Sequence, residues 1–186
     1  MRPGKPYPAT FRLLYHVPMS ASPTVRGEIA ADVEPIRVVH QRAFPTDAEA
    51  RLVDELRAAG HLSITLVALI DDQVVGHIAL SPVTIDGTQV GLGLAPVAVV
   101  PEHQRSGIGS KLVRQSLATC RANDVDLVVV LGEPEYYSRF GFVTASAHGL
   151  RDTYGGGDAF QVVFLSANQP TAGGLVQYAP EFALFE

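Results

Sequence analysis

The sequence predicts one α/β domain built around a mixed sheet, and three observations predict it. Apolar residues alternate through Ile64, Leu66, Ala68 and Ile70 and return at Val75, Ile78 and Leu80, the period of half-buried strands. Apolar positions elsewhere recur at helical spacing, as at Ile108, Leu112, Val113, Leu117 and Cys120. An unbroken apolar run, Leu127 to Leu131, follows that helix, and such runs belong to strands covered on both faces. Strand, helix, covered strand implies a parallel pair joined by a right-handed crossover.

Thr24 to Glu28 reads as a first strand. Asp32 is a plausible N-cap for a helix from Val33 to about Phe44, with Pro35 tolerated in its first turn and Pro45 ending it. Thr46-x-x-Glu49 has the form of a capping box for a second helix whose inner side is Leu52, Val53 and Leu56 and whose stop is Gly60. Strands follow from Ile64 and from Gln73, separated by the turn Asp71-Asp72. Asp86-Gly87 is a strong hairpin signal, returning the chain along Val90 to Val100. After Leu131 come a short helix at about Pro134 to Arg139 and strands over Phe142 to Ala147 and Phe160 to Leu165. The loop Tyr154-Gly155-Gly156-Gly157-Asp158 lies between those strands, and Asn168 to Glu186 reads as mostly irregular.

The 186 residues suffice for one domain with a sizeable core, and 47% apolar with 18% charged residues fits a soluble globular protein. The net charge of −5 and the lack of a basic stripe argue against a nucleic-acid binder. Cys120 is the one cysteine, so no intrachain disulfide forms and a reducing, cytoplasmic setting is favoured. It falls on the apolar face of its helix and reads as core filler. No run of about 20 apolar residues exists to span a membrane. Residues 1–22 read as a leader outside the domain, either disordered or the result of translation that begins at Met19. Residues 23–167 read as the domain and 168–186 as an extension packed on it.

The stretch Val97 to Asn123 organises the rest. Pro101 stops the strand, and Gln104-Arg105-Ser106-Gly107-Ile108-Gly109-Ser110 turns into a helix. Gly107 and Gly109 let a ligand lie against the backbone, and the first helical amides sit at the positive end of the dipole. This is an anion site of the kind that holds a pyrophosphate, with Arg105 and Lys111 nearby to supply local positive field. It is not a Walker loop, because Ser110 separates Gly109 from Lys111. Gly91-Leu92-Gly93 is not a dinucleotide fingerprint either, because Pro96 stands where the third glycine would be.

Gln104-x-x-Gly107-x-Gly109 after a strand ending in Val-x-Pro resembles the acyl-CoA signature of the GCN5-related N-acetyltransferase (GNAT) superfamily, in a small bacterial-type form. A second segment, Tyr136-Tyr137-Ser138-Arg139-Phe140-Gly141-Phe142, is similar to the family's F-Y-x-K/R-x-G-F. The element order also matches over roughly Thr24 to Leu165. The resemblance implies a six- to seven-stranded mixed sheet, splayed after the fourth strand and flanked by about four helices, with the coenzyme in the splay. It implies that a bulge on the fourth strand offers backbone groups at Val97, Ala98 and Val99, and Pro96 is a plausible cause of the break in pairing. It implies a pyrophosphate held at Gln104, Arg105, Ser106, Gly107, Ile108, Gly109 and Ser110. Tyr137 takes the family's place for the acid that protonates the departing thiolate, with Tyr136 second; a phenol near pKa ~10 is protonated at neutral pH.

The same resemblance implies an N-acetyltransferase that moves acetyl from acetyl-CoA to a primary amine, small molecule or peptide, by direct attack in a ternary complex. No metal, nucleic acid or membrane is implied, and family habit allows a monomer or a homodimer. Many relatives carry a base on the fourth strand, but Val90 to Val100 contains no carboxylate. Glu133 is a substitute and His77 another, each with an ordinary structural role as its rival. The missing carboxylate keeps a second reading open, a non-catalytic acyl-CoA sensor.

Overall fold

The computed structural model describes residues 22–166 and 173–185; the segment 1–21, most of the expected leader, lies outside them. The elements are β1 (Thr24–Gly27), α1 (Val33–Ala43), α2 (Ala48–Ala59), β2 (Ile64–Ile70), β3 (Gln73–Ile85), β4 (Thr88–Val99), α3 (Ile108–Ala122), β5 (Leu127–Leu131), α4 (Pro134–Tyr137), β6 (Val143–Thr144), β7 (Leu150–Asp152), β8 (Phe160–Phe164) and β9 (Gly174–Gln177). The sheet runs β1-β2-β3-β4-β5-β8-β6, with β9 branching from β3 and carrying β7. It is mixed as expected: β4 and β5 run parallel, while β1 to β4 form an antiparallel meander.

The hairpin signals act as the sequence suggests. Asp71, Asp72, Asp86 and Gly87 all take positive φ, the conformation that two-residue turns between twisted strands demand. Gly60 ends α2 at φ 75° and its N–H bonds back to Arg57 and Leu56.

Alternation places Leu66 and Ala68 against α3 and Val67 against Ile36 of α1 and Val53 of α2, so helices cover both faces of β2. Strand β5 explains its unbroken sequence. Val128 and Val130 join the cluster under Leu112, Val113 and Leu117 of α3, while Leu127 and Val129 join a second cluster with Phe160, Val162 and Val176. Each such side chain contributes about 1.5–3 kcal/mol by leaving water. Cys120 is fully buried in the first cluster, and burial pushes its thiol up to about 11.

Four expectations are corrected in whole or in part. The strand over Phe142 to Ala147 shrinks to Val143–Thr144, because Ala145–His148 closes into a 3₁₀ turn ended by Gly149 at φ 73°. The tail is not irregular: Gly174–Gln177 is a strand between β7 and the end of β3. Asp32 stands at the N-cap of α1 as expected, but its side chain does not bond the helix; it pairs with Arg26 at 2.6 Å and accepts the Ile29 N–H at 2.8 Å. The capping box at α2 does not form, since its cap Asp47 makes no side-chain bond and the Ala48 N–H reaches Thr46 Oγ1 at 3.4 Å. Glu49 is thereby released from the helix end.

Candidate active site

The site begins as a fault in the sheet. Ile78 faces Val97, but Leu80 faces Leu94, so β4 spends one residue more than β3 between these pairs. The extra residue falls at Ala95-Pro96, where proline cannot donate to the ladder. On the other side, β4 pairs with β5 only at Leu92 with Val128 and Gly93 with Val129. Beyond Gly93 the strands separate, each held by its other neighbour, and a cleft opens in mid-sheet.

Main-chain groups alternate in direction along a strand. The Val100 N–H bonds to Val75 on β3, whereas the Val99 carbonyl turns away and accepts from the Gln104 side chain at 3.0 Å. Val97 and Val99 therefore aim their main-chain groups into the cleft, and those of Ala98 go to β3. A groove of about 550 Å³ results, lined by Val97, Val99, Gln104, Arg105, Gly107 and Gly109, with Tyr136 and Arg139 as the facing wall.

The glycine turn is built for close approach. Gly107 is at φ 90°, where an L side chain is strained, and nothing lies within 4 Å of where its Cβ would be. A Cβ at Gly109 would stand 3.0 Å from the Tyr136 hydroxyl, so this glycine keeps the groove open between turn and aromatic wall. Arg105 also takes positive φ, at 60°. Among the described residues, the main-chain N–H groups of Arg105 through Ser110 have no hydrogen-bond partner, and α3 begins at Ile108. These are unpartnered donors at the positive end of a 15-residue helix, and they fit a pyrophosphate.

The cations differ from those expected. Lys111 leaves the groove and donates to the Pro23 carbonyl. Arg139 joins Arg105 instead, its guanidinium 4.5 Å from the centre of the Tyr136 ring and its Nε donating to the Tyr136 carbonyl at 3.1 Å. The signal was present, since Arg139 fills the K/R place of the second motif.

The two tyrosines separate in role. Tyr136 lines the groove. Tyr137 is buried at 7% exposure, edge-on to Tyr136 and Phe142, and lies so close over β5 that a Cβ at Gly132 would meet its ring at 2.4 Å. Burial, with the field of Tyr136 adding to it, pushes its phenol above the ordinary tyrosine value, so it stays a proton donor. Glu133 is exposed at the start of α4 and lines neither the groove nor the cavity beside it.

His77 does not reach the cleft. It is fully buried and sits in a chain of hydrogen bonds: His40 Nε2 to His77 Nδ1 at 2.8 Å, His77 Nε2 to Thr65 Oγ1 at 2.8 Å, and Thr65 Oγ1 to Glu28 Oε2 at 2.5 Å. Arg57 closes the chain on Glu28 at 2.9 Å. With Glu28 ionised, every donor direction follows: Thr65 gives to Glu28, His77 gives to Thr65, and His40 gives to His77. Both imidazoles are then neutral. Burial first, then mutual repulsion, lowers His40 to about 3, and burial lowers His77. Burial alone would raise Glu28, but the nearby His77 Nε2 at 3.6 Å and the hydrogen bonds from Arg57 and Thr65 outweigh it and hold the carboxyl at about 2.

Past the bulge lies a second cavity of about 360 Å³, between Ala48, Glu49 and Leu52 of α2, Ala95 of β4, Leu131 of β5, and Tyr154, Tyr178 and Phe182. Sequence reasoning missed Glu49, whose place in a capping-box pattern hid it, and the aromatic tail, which carries no motif. Gly93 is bare because the Tyr178 ring fills its Cβ space at 2.6 Å, which gives the Gly91-Leu92-Gly93 run a packing reason.

Comparison with known proteins agrees with this architecture. A family model described as an acetyltransferase (GNAT) domain matches residues 25–145. The chain is 40% identical over 166 residues to YhbS of Escherichia coli K12, an uncharacterized N-acetyltransferase, covering 87% of this chain and 99% of that one. The crystal structure of E. coli YhbS in complex with CoA superposes with a TM-score of 0.83 at 39% identity, over 88% of this chain and 93% of the other. A GNAT acetyltransferase from Brucella melitensis in complex with acetyl-CoA gives 0.74 at 38% identity, over 87% and 98%. The splayed sheet, the glycine turn and these likenesses place the chain in the GNAT acetyltransferase family.

Proposed function

We infer that this protein is an acetyl-CoA-dependent N-acetyltransferase that moves the acetyl group to a primary amine by direct attack. The observation that carries the reading is the cleft itself: a groove with unpartnered backbone donors opens beside a separate apolar cavity, and the two meet at the β4 bulge. The relatives whose structures contain CoA and acetyl-CoA support the identity of the donor.

In this reading the diphosphate of the coenzyme lies on the N–H groups of Arg105 to Ser110, with Arg105 and Arg139 as its charge partners. Charge-assisted bonds of this kind contribute about 1.5–3 kcal/mol each. The pantetheine arm runs along Val97 and Val99, whose main-chain groups are free of β5. The acceptor attacks the thioester carbonyl as the neutral amine; a C–N bond forms, the C–S bond breaks, and the proton shed by the nitrogen passes to water. Negative charge passes through the carbonyl oxygen, which a backbone N–H of the bulge stabilises, and ends on the thiolate. Tyr137 is the donor assigned to that thiolate. We read the enzyme as cytoplasmic, acting as a monomer or homodimer.

The test joins acetyl-CoA titration by calorimetry with thiol release over a panel of amines. Binding with turnover on at least one amine is expected. Gly109→Val fills the groove and weakens acetyl-CoA by tenfold or more. Wild-type affinity in that variant removes the assignment of the groove. Tight binding without turnover on any amine would favour the sensor reading instead.

A further inference from the structure

We propose that the cavity beyond the bulge selects a primary ammonium carried on an apolar body, with Glu49 and Tyr178 as its recognition residues and the C-terminal segment as its wall. The proposal rests on the acetyltransferase reading above and narrows its acceptor.

Two residues that line this cavity each carry a buried polar atom with no hydrogen-bond partner among the described residues: Glu49 Oε2 and the Tyr178 hydroxyl. Buried polar groups are satisfied almost everywhere in folded proteins, and an orphaned carboxylate oxygen is the costliest kind of exception. Two in one cavity of ligand size point to a missing partner. That partner donates hydrogen bonds and brings positive charge, because no lysine or arginine among the described residues lines the cavity to answer Glu49. An ammonium meets both needs: one N–H goes to the carboxylate and another to the phenol oxygen, and the third proton leaves to water before the freed lone pair attacks the thioester.

The rest of the wall is apolar. Leu52, Leu131 and Phe182 offer no polar side-chain atom, and the Tyr178 ring packs on Phe182 with centroids 5.1 Å apart. Asp152, the other acid nearby, is already engaged by the N–H groups of Tyr154 and Gly156 at 2.8 and 3.1 Å. A polyamine or a sugar would bury polar groups there without partners; an alkyl or aryl group would not. The volume of about 360 Å³ suits a small amine, not a folded protein surface. Ala95 lines the same cavity two residues before Val97 of the coenzyme groove, so an amine anchored here stands beside the thioester.

The tail supplies one wall of this pocket. Strand β9 holds Gln177 and Val176 against Thr84 and Ile85, and that anchorage sets Tyr178 and Phe182 over the cleft. Glu181, one turn on, accepts from His61 at 2.9 Å and fixes the segment from the other side.

The experiment uses the full chain with 2-phenylethylamine as the probe. Without coenzyme, millimolar 2-phenylethylamine raises the melting temperature, whereas 2-phenylethanol and 3-phenylpropionate do not. With acetyl-CoA it outperforms ethanolamine and spermidine in kcat/KM. Glu49→Gln keeps the fold and the acetyl-CoA affinity but raises the KM for 2-phenylethylamine at least tenfold, and Tyr178→Phe raises it several-fold. An unchanged KM in Glu49→Gln overturns the proposal, as does a preference for ethanolamine or spermidine. In either case acetyl-CoA binding and turnover of the polar amine leave the acetyltransferase reading standing. Failure of acetyl-CoA itself to bind removes both.

Discussion

Acidification should weaken this fold well before most carboxylates titrate, and His40 gives the magnitude. An exposed histidine titrates near ~6.5, as it does in the unfolded chain. In the folded protein His40 is buried, stacked on Phe44 and bonded to His77, and its value falls to about 3. The unfolded state therefore binds the extra proton first, so stability is complete above about pH 6.5 and declines as pH falls toward 3. Linkage gives RT ln[(1 + 10^(6.5−pH))/(1 + 10^(3−pH))], which is about 2 kcal/mol at pH 5 and about 3 kcal/mol at pH 4. His77 is lowered as well and adds with the same sign. Glu28, held at about 2, adds below its unfolded value of 4.5, also in that direction. Urea unfolding followed by circular dichroism at pH 7, 6 and 5 reads the loss directly. At this chain length about 2 kcal/mol also lowers the melting temperature by about 4–8 °C. His40→Gln keeps a donor near the position of Nε2 but cannot titrate, so its stability should change about 2 kcal/mol less between pH 7 and 5. Parallel curves for the two proteins, or an imidazole resonance of His40 that titrates near 6.5 in the folded state, would refute the reasoning.

Other expectations follow from single contacts. Gly132→Ala puts a Cβ 2.4 Å from the Tyr137 ring; it should cost about 1–3 kcal/mol by thermal unfolding and lower kcat by displacing that phenol. Tyr137→Phe should lower kcat tenfold or more while leaving the calorimetric affinity for acetyl-CoA near wild type; unchanged kcat removes the acid role. Arg139→Ala should weaken acetyl-CoA about tenfold and lessen its salt dependence, whereas Lys111→Ala, bound to Pro23 and not to the groove, should leave affinity unchanged by the same titration. Cys120 should resist a disulfide reagent in the native state and react at the rate of global unfolding, because it is buried and its thiol is raised to about 11.

What the sequence made legible is what a short window carries. The turn residues Asp71, Asp72, Asp86 and Gly87 needed only their own φ preferences. The run Leu127 to Leu131 needed only its composition, and Gly107 needed only the left-handed φ at the start of α3. What failed was decided by partners distant in the chain. Residues 174–177 carry no alternation strong enough to announce a strand, yet they pair with β7 and with the end of β3. Lys111 has the right sequence neighbourhood for a phosphate but is claimed by the Pro23 carbonyl. Thr46 and Glu49 have the spacing of a capping box, but Asp47 takes the cap position and the reciprocal bonds are lost.

This division follows the two halves of the cleft. In the proposed reading a diphosphate is bound through main-chain N–H groups, and the chain can offer several in a row only by bending in a way that glycine permits, so the donor half would be written locally in Gln104 to Ser110. In the proposed reading an acceptor is chosen by side chains that converge from separate elements: Glu49 from α2, Ala95 from β4, Leu131 from β5, and Tyr178 and Phe182 from the tail. None of these residues has a signature alone, and each is ordinary in its own segment. Their meaning arises from geometry, as two polar atoms without partners among the described residues, on side chains that line one largely apolar cavity. Chains that share the glycine turn can therefore differ in acceptor through a few substitutions in α2 and the tail. In this protein, changes at Glu49 should move acceptor preference while acetyl-CoA affinity stays fixed.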